Sequence, residues 1–224
     1  MGKSWQRVAS PFDPNRADEN GLVAIGGSLD PELVLVAYRS GVFPWSSDPV
    51  ISWWSPDPRA IFDLQTYKAH RSTRQNVRRG GWRFSVDEAF ERVMRACAEP
   101  APGRESTWIS EDFVRSYKAL HKRGHAHSIE VWERDELVGG LYGVTLGGFF
   151  GGESMFNRRT DASKAAVMHL VDTLRAGGFV LCDAQVPTPH LQRLGAIEIP
   201  RRDYLQRLAK SLEIDATFGA SNAT

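Results

Sequence analysis

Apolar residues recur along the chain at two spacings, which predict a succession of helices and strands. The clearest helix begins at residue 31, because Asp30 can cap its first turn and Pro31 suits its first position. Its apolar stripe has the helical period, and Gly41 ends it. Further helices are predicted at residues 72–79, at 87–98 with Asp87 as the cap, at 111–123 after Ser110, at 163–176, from about 188, and at 201–212.

After Gly124 the apolar period becomes that of strands. Residues 127–133 alternate, and short turns join them to two more extended segments, 136–146 and 149–154. This pattern predicts a three-stranded antiparallel meander. Other strands are predicted near residues 60–62, at 82–86, at 179–184 and near 197.

A meander followed by helix, strand, helix and strand is the element order of the N-acetyltransferase (GNAT-type) fold. The sequence therefore predicts an α+β protein with a mixed, mainly antiparallel sheet, in which strand 179–184 lies beside the meander where the sheet splays. A small N-terminal domain, residues 1–62, is expected to pack on an acetyltransferase-like domain, residues 63–224. Element order supports a fold and not a function.

The run of residues 44–59 holds three tryptophans and four prolines. Proline fixes φ and donates no hydrogen bond, so the run predicts neither a helix nor a central strand. We expect a stiff, irregular loop that presents flat aromatic faces to an amino acid, a sugar or a nucleobase. Trp53 and Trp54 are expected to pack against the core rather than to bind a ligand.

The composition, with 42% hydrophobic and 25% charged residues, is that of a globular protein large enough to bury a core. Its two cysteines form neither a disulfide framework nor a metal-ligand spacing. There is no signal peptide and no apolar run near the length of a membrane span. A reduced, cytoplasmic protein is the resulting expectation.

The net charge of +1 gives no indication of a nucleic-acid partner, but the local distribution does. Residues 68–83 carry six cations and no carboxylate. Such a run is either a solvated face or a surface that binds phosphates. The candidate phosphate ligands within it are Arg71, Arg74, Arg78 and Arg79.

Two groups of polar residues lie at the ends of predicted strands. Glu153 follows two glycines in an apolar setting, where a carboxylate needs a partner such as an amine or an arginine. Asp183 and Gln185 share one face of the strand at 179–184, so the carboxylate can orient the amide, and the amide oxygen can accept a proton from an attacking amine. The structural alternatives are an edge-strand Glu paired with an Arg, and a strand-end hydrogen-bond network.

Other motifs are weaker. His125, His127 and His190 have no nucleophile or third ligand beside them, so we interpret them as structural or surface residues. The turn before the predicted helix at 163–176, residues 158–163, lacks the glycines with which coenzyme-A acetyltransferases cradle pyrophosphate. Acyl-coenzyme A is therefore not the expected donor.

Several sequence blocks together resemble the bacterial leucyl/phenylalanyl-tRNA–protein transferases, over about residues 21–208. They include GVFPW at 41–45, WWSPDPR at 53–59, GHAHSIEVW at 124–132, GESMF at 152–156 and DAQ at 183–185. The resemblance implies an enzyme that moves Leu or Phe, with Met as a further candidate, from aminoacyl-tRNA to a protein's N-terminal Arg or Lys. The product is marked for N-end-rule degradation, and neither a cofactor nor a metal is needed.

The resemblance also implies roles for individual residues. Trp45 and Trp108 would hold the terminal adenosine of leucyl-tRNA or phenylalanyl-tRNA. Glu153 would lie near the donor's α-amino group, and Asp183 and Gln185 at the reacting ester. The wall of the aminoacyl pocket would include Leu141, Phe150, Met155 and Leu170, the last standing where some members carry Phe.

Two other functions stay open at this point. One is a coenzyme-A-dependent N-acyltransferase on the same fold, against which the missing glycine turn counts. The other is a non-catalytic RNA-binding module, against which the polar set Glu153, Asp183 and Gln185 counts.

Overall fold

The computed structural model describes residues 10–47, 50–100 and 107–219, and in these ranges the chain forms two β-sheets and seven α-helices. The strands are β1 (Leu22–Ile25), β2 (Phe43–Ser47), β3 (Val50–Trp54), β4 (Arg59–Phe62), β5 (Arg83–Val86), β6 (Ala126–Glu133), β7 (Glu136–Leu146), β8 (Phe149–Asn157), β9 (Leu181–Gln185) and β10 (Ile197–Ile199). The helices are α1 (Pro31–Arg39), α2 (Arg71–Gly80), α3 (Phe90–Ala98), α4 (Glu111–Lys122), α5 (Ala162–Ala176), α6 (Pro189–Leu194) and α7 (Arg201–Ser211).

The larger sheet has seven strands in the order β10-β4-β9-β8-β7-β6-β5. All its neighbours are antiparallel except β8 and β9, which pair in parallel from Phe149 and Leu181 to Gly151 and Asp183. The prediction of an α+β protein with a mixed, mainly antiparallel sheet is confirmed, as is the position of β9 beside the meander. The assignment to the GNAT type stays a prediction.

The parallel ladder between β8 and β9 ends early. Its last pair is Gly151 with Asp183, although β8 continues to Asn157 and β9 to Gln185. No backbone pair joins the two strands past this point. The side chains that follow, including Glu153, therefore stand at an opening in the sheet.

Helices cover both faces of the larger sheet. Successive residues of β7 point to opposite faces: Leu141 packs in the cluster that contains α5, while the Tyr142 ring contacts Phe90 of α3 and Tyr117 of α4 edge-on. This is the alternation expected of a strand. Helix α5 thus packs on one face of the sheet at β7, and α3 and α4 pack on the other.

The tryptophan- and proline-rich segment is not the irregular loop predicted from its composition. Strands β2 and β3 pair along their whole length in a three-stranded sheet of order β1-β3-β2. Pro44 is accommodated because β2 is an edge strand, where one side of the backbone has no ladder to complete. Pro49, one of the four prolines, lies outside the described residues.

Two of the predicted caps are confirmed and one is wrong. Asp30 caps α1, since its Oδ1 accepts a hydrogen bond of 2.9 Å from the Glu32 amide, and the Ser110 hydroxyl caps α4. Asp87 does not cap α3, which begins only at Phe90. Its carboxylate instead accepts a 2.8 Å hydrogen bond from the Ser128 amide and so ties β5 to β6.

The predicted domain boundary, after residue 62, coincides with the end of β4. This strand pairs with β10 and β9, so it belongs to the larger sheet, whereas β1, α1, β2 and β3 precede it in the chain. The division into two folding domains stays a prediction. No helix within the described ranges is long and apolar enough to cross a membrane.

Candidate active site

A cavity of about 430 Å³ lies at the opening between β8 and β9. It brings together every residue that the sequence analysis assigned to catalysis or to aminoacyl and adenosine binding. These are Trp45, Trp108, Leu141, Phe150, Glu153, Met155, Leu170, Asp183 and Gln185. Residues more than a hundred positions apart thus share one cavity.

One wall of the cavity is apolar. Leu141, Phe150 and Leu170 are buried in it, and Met155 is half-buried. Phe62 of β4 and Val167 of α5 complete this wall, and sequence reasoning did not identify them. Apolar residues of a strand and a helix carry no signal that separates a pocket wall from ordinary core.

Two tryptophans line the cavity. Trp45 is 39% exposed, an uncommon state for a large aromatic side chain, and its ring meets Trp54 edge-on at 6.0 Å. Trp108 is half-buried and packs edge-on against Phe113. Trp53 is buried and donates a 2.8 Å hydrogen bond to the Gly26 carbonyl, as expected of a core residue.

Asp183 is fully buried and accepts hydrogen bonds of 2.6 to 3.0 Å from three residues. Arg59 binds both carboxylate oxygens, with Nε 2.9 Å from Oδ1 and the second guanidinium nitrogen 2.6 Å from Oδ2. The Tyr204 hydroxyl donates to Oδ2 at 3.0 Å, and the Gln185 amide donates to Oδ1 at 2.8 Å. A carboxylate saturated in this way fixes its neighbours and is poorly placed to take a proton.

Sequence reasoning missed Arg59 and Tyr204. The available signal for Arg59 was physical: a carboxylate on a buried strand needs a cation, and Arg59 ends the tryptophan- and proline-rich run. The guanidinium also lies over the Phe43 and Tyr204 rings, at 4.8 and 4.3 Å from their centroids. These contacts join β4, β9 and α7 behind the cavity.

Gln185 is held by two different carboxylates. Its backbone adopts the left-handed conformation, with φ of 64°, which is uncommon for a residue other than glycine. Asp183 binds its main-chain amide, while its side-chain Nε2 donates a 2.8 Å hydrogen bond to Glu153 Oε1. The side-chain amide is thus oriented by Glu153 and not, as expected, by Asp183.

Glu153 is paired neither with an amine nor with an arginine, the two partners that the sequence suggested. It lies on a central strand, and its carboxylate accepts hydrogen bonds from the Tyr38 and Tyr117 hydroxyls in addition to Gln185. Burial raises the pKa of Glu153 to about 7, against the lowering effect of these donors. Gly151 leaves room for the neighbouring rings, because a Cβ there would lie 2.9 Å from Cζ of Phe149 and 3.3 Å from Cε1 of Tyr38.

The four predicted phosphate ligands lie outside the cavity on α2. Arg71, Arg74, Arg78 and Arg79 are all exposed, and three of them line one surface groove. None of the four pairs with a carboxylate in the part of the chain that the structure describes. They are spaced so that their side chains emerge on neighbouring turns of one helix.

Comparison with known proteins identifies the family. The model for "Leucyl/phenylalanyl-tRNA protein transferase" matches residues 61–209, and the model for the N-terminal domain of the same family matches residues 27–57. The chain belongs to this family. It is therefore a transferase enzyme.

Curated relatives agree with the family assignment. A leucyl/phenylalanyl-tRNA–protein transferase of Anaeromyxobacter sp. (strain K) is 52% identical over 203 residues, or 90% of this chain and 87% of the relative. One from Shewanella piezotolerans is 50% identical over 204 residues, or 91% and 86%. A solved structure of L-PGS from Bacillus licheniformis gives a TM-score of only 0.40 at 16% identity, covering 73% of this chain and 54% of that one.

The turn before α5 keeps its charges paired in this family member. Arg158 binds Glu99 at 2.8 Å, and Arg159 lies 3.1 Å from Glu133. Asp161 is held by Lys164 and by Asn76 of α2. This turn has no glycine, and both of its arginines pair with carboxylates.

One group of potential metal ligands occurs among the described residues, formed by Asp87, His121 and His127, with ligand atoms within 4.8 Å of one another. It lies outside the cavity. His127 Nδ1 is 2.6 Å from Asp87 Oδ2, and His121 Nδ1 is 2.8 Å from the Ala126 carbonyl. These hydrogen bonds account for the close approach, in keeping with the structural interpretation of His127.

Proposed function

We propose that this enzyme transfers leucine or phenylalanine from aminoacyl-tRNA to the N-terminal Arg or Lys of acceptor proteins in the cytoplasm, and so marks them for N-end-rule degradation. Methionine is a further candidate donor residue. The observation that carries the proposal is the cavity itself, in which an apolar wall faces the linked polar groups Glu153, Gln185 and Asp183.

The donor would enter with its terminal adenosine against Trp45 and Trp108. Stacking a base on an aromatic ring contributes about 1–3 kcal/mol, and the partial exposure of Trp45 leaves its ring accessible. The aminoacyl side chain would then lie against Leu141, Phe150 and Met155. A wall containing a flexible Met side chain suits both Leu and Phe.

The acceptor's neutral α-amine would attack the ester carbonyl beside Gln185. Because Nε2 of Gln185 is committed to Glu153, its carbonyl oxygen can accept a hydrogen bond from that amine. Asp183 fixes the Gln185 backbone, and the terminal ribose hydroxyls would relay the proton to the leaving oxygen. Aminolysis of an ester is favourable, so correct positioning supplies much of the acceleration.

The direct test uses labelled leucyl-tRNA and otherwise identical peptides that begin with Arg, Lys or Ala. We expect label to reach the first two peptides and not the third. Equal labelling of all three would contradict the acceptor specificity, and no labelling of any would contradict the function.

The two alternatives make different predictions in binding experiments. A coenzyme-A-dependent N-acyltransferase would bind acetyl-coenzyme A, which the paired charges of Arg158 and Arg159 disfavour. A non-catalytic RNA-binding module would bind leucyl-tRNA without consuming its ester. We expect no acetyl-coenzyme A binding, and loss of the ester only when an acceptor is present.

The exposed arginines of α2 are expected to bind acceptor-stem phosphates. Replacing Arg74 and Arg78 with Gln should weaken aminoacyl-tRNA binding and make the slope of log K against log salt shallower by about two. Binding would be measured between about 50 and 200 mM salt. Arg115→Gln, an exposed arginine of α4 paired with Asp112, should leave the slope unchanged. An unaltered slope in the double variant would show that α2 does not contact phosphates.

Leu170 is expected to set the size of the aminoacyl pocket. Leu170→Phe should lower the ratio of kcat/KM for phenylalanyl-tRNA over leucyl-tRNA by about tenfold, since one misfit of methylene size is worth about 1–3 kcal/mol. The measurement is a competition between the two donors. Leu205→Phe on α7, away from the cavity lining, should leave the ratio unchanged. An unchanged ratio in Leu170→Phe would contradict the assignment of Leu170 to the aminoacyl pocket.

A further inference from the structure

Three oxygen-bearing groups form a closed ring beside the cavity. The hydroxyls of Tyr38 and Tyr117 are 3.0 Å apart, and the Tyr117 hydroxyl is 2.9 Å from Glu153 Oε2. The Tyr38 hydroxyl is hydrogen-bonded to the other carboxylate oxygen, Oε1. Each group therefore contacts both of the others, and Gln185 Nε2 approaches Oε1 from outside the ring.

The number of protons in this ring depends on Glu153. Burial raises the pKa of the Tyr38 and Tyr117 hydroxyls well above their ordinary value, so each keeps its proton. When Glu153 is ionised, only the two phenolic protons are available for the three oxygen–oxygen contacts. Two contacts are then hydrogen bonds, and the third has no proton. With Glu153 protonated, three protons serve three contacts, and every hydroxyl donates to the next around the ring.

We propose that Glu153, held by Tyr38 and Tyr117, takes the proton that the acceptor's ammonium group loses before it attacks the ester. Glu153 is the catalytic residue in this step, and the two tyrosines are positioning residues. The inference rests on the proposed function and deepens it by naming the group that takes the proton. Glu153, which the family resemblance places near the donor's α-amino group, would thus also serve the acceptor's amine.

The step balances as follows. The acceptor binds as –NH3+ while Glu153 is a carboxylate. One N–H bond of the acceptor breaks and one O–H bond forms on Glu153, so that each of the three contacts in the ring then has a proton. The neutral amine then forms the C–N bond as the ester C–O bond breaks, and its surplus proton passes to the ribose oxygen that leaves. Glu153 afterwards releases its proton to solvent, which restores the ionised ring.

The groups around the ring favour a proton-accepting role for Glu153. Tyr142 of β7 lies near Glu153, and Asp183 of β9, which is paired with Arg59 of β4, raises the pKa of Glu153. The resulting pKa of about 7 lies close to the ordinary α-amino value of about 7.7–8, so proton transfer between the two groups is nearly balanced. General acid–base catalysis is most efficient when the pKa of the catalytic group lies near the working pH.

The first test uses an acceptor that has no ammonium proton to lose. Glu153→Gln would be assayed with a peptide beginning with Arg and with the same peptide carrying an alkoxyamine, neutral at pH 7, in place of its α-amine. We expect kcat with the normal peptide to fall by about 100-fold or more, and kcat with the alkoxyamine peptide to stay within about tenfold of wild type. Equal losses with both acceptors would overturn the proposal.

The second test reads the ring without any activity. The Glu153 carboxyl would be titrated by 13C NMR in labelled protein and identified by its loss in Glu153→Gln. In the double variant Tyr38→Phe/Tyr117→Phe the ionised form loses two donors, and hydrogen bonds to a charged group are stronger than those between neutral groups. The pKa of Glu153 should therefore rise by about one unit.

Tyr142→Phe is the matched control for the titration. Tyr142 is as deeply buried as the other two tyrosines and lies near Glu153, but its hydroxyl has no hydrogen-bond partner in the part of the chain that the structure describes. Its removal should leave the pKa of Glu153 unchanged. A shift in this control equal to that of the double variant, or no shift in the double variant, would overturn the role of the ring.

The two tests separate the inference from the function on which it rests. If wild-type enzyme transferred nothing to either peptide, the proposed function would fail, and with it the catalytic step. The NMR titration would still establish or refute the hydrogen-bonded ring. If transfer occurred but Glu153→Gln were equally impaired with both acceptors, the function would stand and only the proton transfer to Glu153 would fail.

Discussion

Replacing Arg59 with methionine is expected to lower the free energy of unfolding by about 3–5 kcal/mol, since it leaves the Asp183 carboxylate buried without a cation. Both side chains are fully buried, so no water can take over the lost contacts. This is a large part of the about 5–15 kcal/mol that stabilises a typical domain. Urea denaturation, followed by tryptophan fluorescence, measures the change.

A paired replacement separates stability from function. Arg59→Met combined with Asp183→Leu exchanges a buried ion pair for apolar side chains, which is often neutral or stabilising. We expect it to recover most of the lost stability but not the transfer activity, because the Gln185 amide loses its anchor on Asp183. If the single Arg59 variant unfolded within about 1 kcal/mol of wild type, the ion pair would not support the site as described.

Gln185→Ala is expected to lower kcat by about 100-fold or more while the free energy of unfolding changes little. The side chain is held at the cavity by Glu153, and positioned groups that handle a proton typically contribute factors of about 100 to 10,000. KM for aminoacyl-tRNA should change far less, because the contacts that we propose for the adenosine and the aminoacyl side chain are made by other residues. Single-turnover kinetics with excess enzyme measures the chemical step directly.

Gln192→Ala provides the control for this substitution. Gln192 lies on α6, is exposed, and bonds Glu198 rather than a cavity residue. Its removal should leave kcat unchanged. Near-normal turnover in both Gln185→Ala and Asp183→Ala would exclude these residues from the reaction.

The roles of Asp183 and Gln185 differ more than their sequence pattern suggested. Asp183 is saturated by Arg59, Tyr204 and the Gln185 backbone, so it acts as a fixed support. Proton handling is better suited to Glu153, whose partners are hydroxyls and an amide rather than a cation. A network whose members are all hydrogen-bonded also keeps the cavity rigid.

Local periodicity predicted most of the described helices and strands. The meander of β6, β7 and β8 follows from its alternating pattern and two turns, and α1 and α4 follow from their caps. These signals are reliable because a few neighbouring residues contain them. They fail where a residue type typical of one local structure makes a distant contact instead. Asp87 was predicted to cap α3, but its carboxylate binds the Ser128 amide of β6.

The segment of β2 and β3 shows the limit of local reasoning most clearly. Its prolines predicted that no central strand would form, and this was wrong for β3, which lies in the middle of its sheet and contains no proline. Pro44 lies in β2, which is an edge strand. Whether a strand lies at an edge depends on which others pair with it. That information is not contained in residues 44–59 themselves.

The sequence by itself determined the fold class, the order of most elements and, through its resemblance to a family, which nine residues belong to one site. Only the tertiary structure decided how those residues are held. The partners of Asp183 and Glu153 come from α1, β4, α4 and α7, at sequence separations that no local pattern spans. The physical reason is that a buried carboxylate is defined by the donors around it, and those donors are brought together only by packing.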